Sequence, residues 1–282
     1  MPMDELDQSY TIAFTPRSGS NALCELLALN GIGHPSEFFQ YPYDNNFIFD
    51  KYRRLPTAEA IALLIREHSQ NRIFGCKMNH DHLAHFEEAI NYPSGTSKTI
   101  QDYLPSHKWI WLRRRDKLSQ AISLFRAQST NVWAKHFDNL EEEEVEYDFF
   151  AIMANYMMLC VNDLAWHTYF ANNNISPLVL FYEELFRDIR ANIDVLLEYL
   201  ELSNKIAKPF KTEIKLQIQR DSTSEEFRGK FLRDLVAVGR NESLFGLAEN
   251  RWNAFFFEKQ WRDDAVQEAQ AALGAGQARR RA

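Results

Sequence analysis

The chain has 282 residues, 45% of them hydrophobic and 13% aromatic, with 21 Phe and 6 Trp, so it carries enough apolar surface for a sizeable core and is not a disordered polypeptide. A formal net charge of -7 argues against a general nucleic-acid surface, because such surfaces need a positive field to displace the counterions of phosphates. Three cysteines, Cys24, Cys76 and Cys160, are odd in number and widely spaced in apolar runs; they suit neither a disulfide framework nor a zinc site and read as buried structural thiols.

The start, Met1-Pro2-Met3-Asp4-Glu5, lacks the basic and then apolar pattern of a secretory leader. Thr11-Ile12-Ala13-Phe14 is an apolar, β-prone run that ends in Thr15-Pro16-Arg17-Ser18-Gly19-Ser20-Asn21, and a helix-forming run through Leu29 follows at once. Gly31, Gly33 and Pro35 then force a connecting loop through Ser36-Glu37-Phe38-Phe39. Residues 56–68 read as a helix with Ile61, Leu64 and Ile65 at helical spacing, 72–78 as a buried strand, and 81–90 as a short helix with His82 and His85 on a surface face. Trp109-Ile110-Trp111-Leu112 is another strand, broken by Arg113-Arg114-Arg115-Asp116 before a helix marked by Leu118, Ala121, Ile122 and Phe125.

Glu141-Glu142-Glu143-Glu144 reads as a solvated helix start or loop, and 149–170 as a long, largely buried helix. That helix is interrupted by Asn155, Asn162, Asp163 and His167, so no integral membrane segment is expected, and the setting is read as cytoplasmic. Leu178-Val179-Leu180-Phe181-Tyr182 is a further strand, followed by a helix over 183–200. An amphipathic helix spans 224–238, a last short helix 266–274, and 275–282 reads as a frayed tail. With no repeat or dividing linker, one domain over 1–282 is expected. Repeated strand-to-helix units with few hairpin signals predict an α/β fold, a central parallel sheet flanked by helices on both faces. Ligands in such folds bind at the carboxyl ends of the strands, where the turns at Arg17, Met78, Arg113 and Tyr182 would share one crevice.

The first turn suits an anion: successive backbone N–H groups and a helix N-terminus converge there, and Arg17, Ser18 and Ser20 add donors. It is not the usual triphosphate loop, which carries an upstream glycine and a lysine that holds the terminal phosphates; both are missing here. Arginine before the glycine supplies instead a planar, permanently charged fork for one phosphate-like group without a metal. His34, His80, His82 and His85 lack the arrangement of a clear metal site, so none is expected.

Three stretches together, Thr15-Pro16-Arg17-Ser18-Gly19-Ser20, Gly33-His34-Pro35-Ser36-Glu37-Phe38-Phe39 and Arg114-Arg115-Asp116-Lys117-Leu118-Ser119-Gln120-Ala121-Ile122-Ser123, resemble the bacterial trehalose and glycolipid sulfotransferase family. Tyr182-Glu183-Glu184-Leu185 and Arg220 with Ser224-Glu225-Glu226-Phe227 resemble its later motifs, so the likeness spans most of the chain. The resemblance implies a P-loop-like sulfotransferase architecture. It also implies a sulfuryl donor, 3'-phosphoadenosine 5'-phosphosulfate (PAPS), whose product is adenosine 3',5'-bisphosphate.

On that likeness Arg17, Ser18, Gly19, Ser20 and Asn21 hold the 5'-phosphosulfate, with Asn21 standing where the family commonly has threonine. Arg115 and Ser123, eight residues apart, match the 3'-phosphate pair of the wider superfamily, and Arg114 could exchange roles with Arg115. Glu37 is the expected base, and Lys77 sits where other sulfotransferases carry a basic group near the transferring sulfonate. Tyr182 is expected to pack on adenine and Arg220 to contact phosphate. Phe38 and Trp133, with Phe39, Tyr41 and Tyr43, are expected to line a carbohydrate or glycolipid acceptor site, and Phe227 stands where the family often has tryptophan. The likeness also allows a homodimer. The competing readings are a sulfotransferase-like module that binds nucleotide without turnover, and a small-molecule kinase, against which the missing loop lysine argues.

Overall fold

In the computed structural model, which describes residues 6–39, 57–91, 97–104, 106–133, 145–206, 209–214 and 222–239, the first strand β1 (Gln8–Phe14) buries every one of its residues. Its side chains alternate between two cores, as the period of two requires. Tyr10 and Ile12 face a core built with Leu23, Leu26 and Leu27 of α1 (Ser20–Leu29) and Ile193, Leu196 and Leu197 of α7 (Ile189–Tyr199). Ala13 faces the other, built with Ile61 and Leu64 of α2 (Thr57–His68), Leu83 and Phe86 of α3 (His80–Asn91), and Trp166 and Phe170 of α5 (Phe149–Asn172). Helices therefore cover both faces, which is why the strands read as continuous apolar runs.

The partner strands are β2 (Ile73–Met78), β3 (His107–Arg113) and β4 (Leu178–Phe181). All pair in parallel, in the order β2-β1-β3-β4. The chain leaves β1 for β2 on one side and then crosses to β3 on the other, so the order reverses between β1 and β3. At such a reversal the two following turns diverge and open a crevice at the carboxyl edge.

A third cluster joins α4 (Lys117–Thr130), the first half of α5 and α8 (Ser222–Gly239) through Ile122, Phe125, Ile152, Leu159, Phe227 and Phe231. These observations bear out the α/β class with a central parallel sheet. Three local expectations are corrected. The helix expected over 183–200 is two, α6 (Tyr182–Leu185) and α7, because Asp188 caps a new start by accepting from the Ala191 N–H at 3.1 Å. Cys160 is exposed rather than buried, although Cys24 and Cys76 are buried thiols. It lies on a side of α5 that also exposes Met157, Val161 and Leu164, whereas Asn155, Asp163 and Trp166 turn inward.

By length and composition α5 is apolar enough to cross a membrane, contrary to the expectation from its polar interruptions. In the fold it packs on α4, α8 and α3, and its buried Asp163 pairs with Arg113 at 3.2 Å and Lys117 at 2.9 Å. Tyr41, Tyr43, Arg220, the acidic run 141–144 and the helix expected over 266–274 lie outside the described residues.

Candidate active site

The turn from β1 into α1 is held from beneath. Gln120 Nε2 on α4 donates to Thr15 Oγ1 at 2.9 Å and to the Pro16 carbonyl at 2.7 Å, while the Ser18 N–H closes onto the Thr15 carbonyl at 3.2 Å. Arg17 and Gly19 both take left-handed backbone angles, φ 64° and 88°. At Gly19 the close approach excludes a side chain as well: a Cβ there would lie 2.5 Å from Tyr182 Cδ2. Tyr182 therefore presses its ring against the loop, with the Arg114 guanidinium 4.9 Å from its centroid.

No side chain caps α1, so its first N–H groups face the crevice mouth without a residue of their own helix to satisfy them. The Ser18 hydroxyl is fully buried and has no hydrogen-bond partner among the described residues. Leaving it so costs about 1–3 kcal/mol, which an acceptor oxygen in the loop would recover. The cations are crowded. Burial first, then Arg114, pulls Arg17 down to about 10, with Arg126 adding to the effect and Tyr182 opposing it. Mutual repulsion of arginines beside an uncapped helix N-terminus is what a bound dianion relieves, so the residues present fit a phosphosulfate end.

Arg17 is fixed by its neighbours. Its Nε donates to Ser123 Oγ at 2.9 Å and its terminal nitrogen to the Trp133 carbonyl, and Arg114 donates to the Arg17 carbonyl at 3.2 Å. Ser123 is thus brought to the first turn. The Arg115 side chain turns outward, pairs with Glu184 at 2.6 Å and lies 3.5 Å over the Phe181 ring. Arg114 is the member of the arginine run that faces the loop.

On the far side of the crevice, Ser36 pairs with Cys76 in a parallel bridge and accepts from the Lys77 N–H at 2.9 Å. That short extension of the sheet sets Glu37 beside Lys77. The Lys77 ammonium, 8% exposed, lies 2.6 Å from Glu37 Oε1, donates to Asn21 Oδ1 on the first turn of α1, and sits 4.9 Å over the Phe14 ring. It does not reach solvent. Nearby Cys24 is buried, and burial pushes its thiol up to about 12, which disfavours the thiolate.

Phe38 is 2% exposed and packs on His68 at 4.6 Å and Phe74 at 5.7 Å, so its ring is occupied by the core, and Phe39 is likewise against Phe86. Trp133 is 47% exposed at the Arg17 end of the crevice, its indole N–H on Asn131 Oδ1 at 3.1 Å. His82 is buried rather than on a surface face and points to Glu37. Among the described residues, no three His, Cys, Asp or Glu side chains group as metal ligands.

Sequence reasoning missed Gln120 as the support of the loop and His82 as a neighbour of Glu37. Gln120 lies inside the Ser119-Gln120-Ala121 stretch of the third motif, and a buried glutamine on an apolar face was the available signal.

A family model, Stf0 sulphotransferase, matches residues 9–234. A trehalose 2-sulfotransferase of Mycolicibacterium smegmatis is 29% identical over 270 residues, 84% of this chain and 99% of that protein. Another of Mycobacterium tuberculosis is 26% identical over 261 residues, 81% of this chain and 97% of that protein. The crystal structure of sulfotransferase STF9 from Mycobacterium avium matches at 14% identity with a TM-score of 0.38, over 81% of this chain and 68% of that one.

Proposed function

The chain belongs to the Stf0 sulphotransferase family, and we propose that it transfers a sulfuryl group from PAPS to a hydroxyl of a carbohydrate or glycolipid, with Glu37 taking the hydroxyl proton. The observation that carries this reading is the position of Lys77. One ammonium touches the Glu37 carboxylate at 2.6 Å and the Asn21 side chain at the head of α1, so base and anion loop belong to one site.

The donor supplies a sulfur bonded to a 5'-phosphate leaving group. Ser18, Ser20, Asn21 and the backbone around Gly19 hold that phosphate, and Arg17 and the α1 N-terminus oppose the charge that grows on it. Arg114, Arg115, Ser123 and Arg220 are the residues assigned to the 3'-phosphate, and Tyr182 to the adenine. Lys77 faces the transferring sulfonate. As the acceptor oxygen bonds to sulfur in line, its proton passes to Glu37, and the sulfur–oxygen bond to the 5'-phosphate breaks with its electron pair on the phosphate.

Acceptor class rests on the curated relatives, both named for trehalose. A disaccharide or sugar headgroup suits the exposed Trp133, whose indole can stack on a sugar face while Arg17 fixes its backbone. The activity is assigned to a single domain in the cytoplasm.

The test is incubation of the full chain with PAPS and a panel of trehalose, other sugars and glycolipids, followed by mass spectrometry for a sulfated product and adenosine 3',5'-bisphosphate. Transfer that Glu37→Gln abolishes is expected. Turnover untouched by Glu37→Gln removes Glu37 as base; saturable bisphosphate binding without transfer to any acceptor leaves a binding module; and magnesium-dependent phosphoryl transfer from ATP replaces the reading with a kinase.

A further inference from the structure

We propose that His82 is a positioning residue for Glu37: held by Asn79 as the tautomer with its proton on Nδ1, it presents a neutral N–H to Glu37 Oε2, the oxygen that receives the acceptor's proton. The inference rests on the reading of Glu37 as base.

Asn79 decides the tautomer. It precedes α3, and its Oδ1 accepts from the His82 backbone N–H at 2.8 Å, a capping bond that fixes which end of the amide is oxygen. The other end, Nδ2, lies 3.3 Å from His82 Nε2. An amide nitrogen only donates, so Nε2 is the acceptor and a neutral ring carries its proton on Nδ1. Nδ1 is buried, has no hydrogen-bond partner among the described residues, and stands 4.0 Å from Glu37 Oε2. A movement of about 1 Å would make it a hydrogen bond.

The two oxygens of Glu37 are therefore unlike. Oε1 is tied to Lys77 at 2.6 Å, and Oε2 faces the imidazole. The charged and titratable groups around the pair are Lys77 on β2, Cys24 on α1, and Asp81 and His85 on α3. Burial lowers the His82 pKa more than Glu37 and Asp81 raise it, with His85 and Lys77 adding to the lowering, which favours the neutral ring. That neutrality matters for a base: a second cation beside Lys77 would hold the carboxylate ionised but make it a poor proton acceptor, whereas a neutral N–H orients it.

Nitrogen-15 NMR of the full chain, with the His82 ring assigned by comparison with His82→Asn, reads the tautomer without any turnover. Protonated Nδ1 with acceptor Nε2 is expected, together with a titration below the ordinary histidine range that falls further in Glu37→Gln. Protonation on Nε2, or a titration indifferent to Glu37→Gln, overturns the proposal.

With PAPS and an accepted sugar, His82→Leu is expected to lower kcat roughly tenfold while leaving adenosine 3',5'-bisphosphate affinity unchanged, and His82→Asn, which restores an N–H near Nδ1, to recover most of it. Equal loss in both variants with intact nucleotide binding also overturns it. A wild-type chain that transfers no sulfuryl group would sink the sulfotransferase reading, while the ring-nitrogen spectrum separately decides whether His82 presents its Nδ1 proton to Glu37.

Discussion

Two strand-to-helix turns flank the crevice, and they treat their own charge in opposite ways. After β1, the helix N-terminus is uncapped, the Ser18 hydroxyl is buried without a partner, and Arg17 is crowded by Arg114. After β3, the Arg115 N–H reaches the Glu183 carboxylate at 3.1 Å and the Asp116 N–H reaches it at 3.1 Å, the Arg115 side chain takes Glu184, and Asp116 caps α4 by accepting from the Ser119 N–H at 3.0 Å. The second turn is supplied with anions; the first has its helix start and the Ser18 hydroxyl unsatisfied, as the proposed phosphosulfate site requires. The same local motif thus leaves unsatisfied donors in one case and makes a structural joint in the other, and the difference lies in which carboxylates the rest of the chain delivers.

The contrast breaks most visibly at Glu37, the carboxylate delivered to the edge of the first turn without occupying it. Glu37→Gln keeps the shape and removes the proposed proton acceptor, so kcat is expected to fall by about 10²- to 10⁴-fold. Calorimetric binding of adenosine 3',5'-bisphosphate to the same variant should stay within a few-fold of wild type. A comparable collapse of binding would mean that Glu37 belongs to the anion loop itself.

Next in size is Gly19→Ala. The new Cβ meets Tyr182 Cδ2 at 2.5 Å at a backbone φ of 88°, so loop and ring cannot both stay where they are. Strain of about 1–3 kcal/mol translates to roughly 5- to 150-fold weaker binding of the bisphosphate. Thermal unfolding should change less, because the second turn carries the joint to α4. Binding unaffected by the substitution would show that the backbone donors of this turn do not hold the nucleotide.

What the chain announced in advance follows the same division. The strand, loop and helix at Gln8–Phe14 and Ser20–Leu29 were legible because an apolar run stops at Pro16 and Gly19, which is a local signal. The class of fold followed from the repetition of that signal. Strand order was not legible, since nothing local tells on which side of β1 the next strand pairs. Nor was the Lys77–Glu37 contact, which depends on a bridge between Ser36 and Cys76 across forty residues of chain. Consecutive arginines at a strand end face alternate sides, so a tripeptide could not say that Arg114 faces the loop and Arg115 turns away. Phe38 is an aromatic near the crevice end in sequence, but the turn at Phe38 and Phe39 sends both rings into one core, a contact with His68, Phe74 and Phe86 that no local pattern announces.

Asp116 tests the structural half of the comparison. Burial alone would raise its pKa, but the Ser119 N–H, Arg228 and the Ser119 hydroxyl together lower it below the ordinary 3.8. A carboxylate with a lowered folded value stabilises the fold above its unfolded value, and that contribution is lost as pH falls through the folded value. Asp116→Ala should therefore reduce stability in urea by about 1 kcal/mol at pH 7, the size of an N-cap, and by less than that near pH 3. Bisphosphate affinity should move less than in Gly19→Ala.

The smallest effect is also the one with the opposite sign. Arg115 and Glu184 are 55% and 47% exposed, and a surface pair of this kind contributes no more than about 1 kcal/mol. Glu184→Gln should leave the unfolding midpoint nearly unchanged while releasing the Arg115 guanidinium toward the crevice and removing a negative charge from its rim. Bisphosphate binding at low ionic strength should then tighten, by up to about fivefold, and the gain should fade with added salt over the Debye length. Arg115→Ala in the same background should erase the gain. If Glu184→Gln tightens binding and Arg115→Ala leaves it tight, the gain comes from the lost rim charge alone, and the 3'-phosphate is left to Arg114 and Ser123, the two side chains that already meet Arg17.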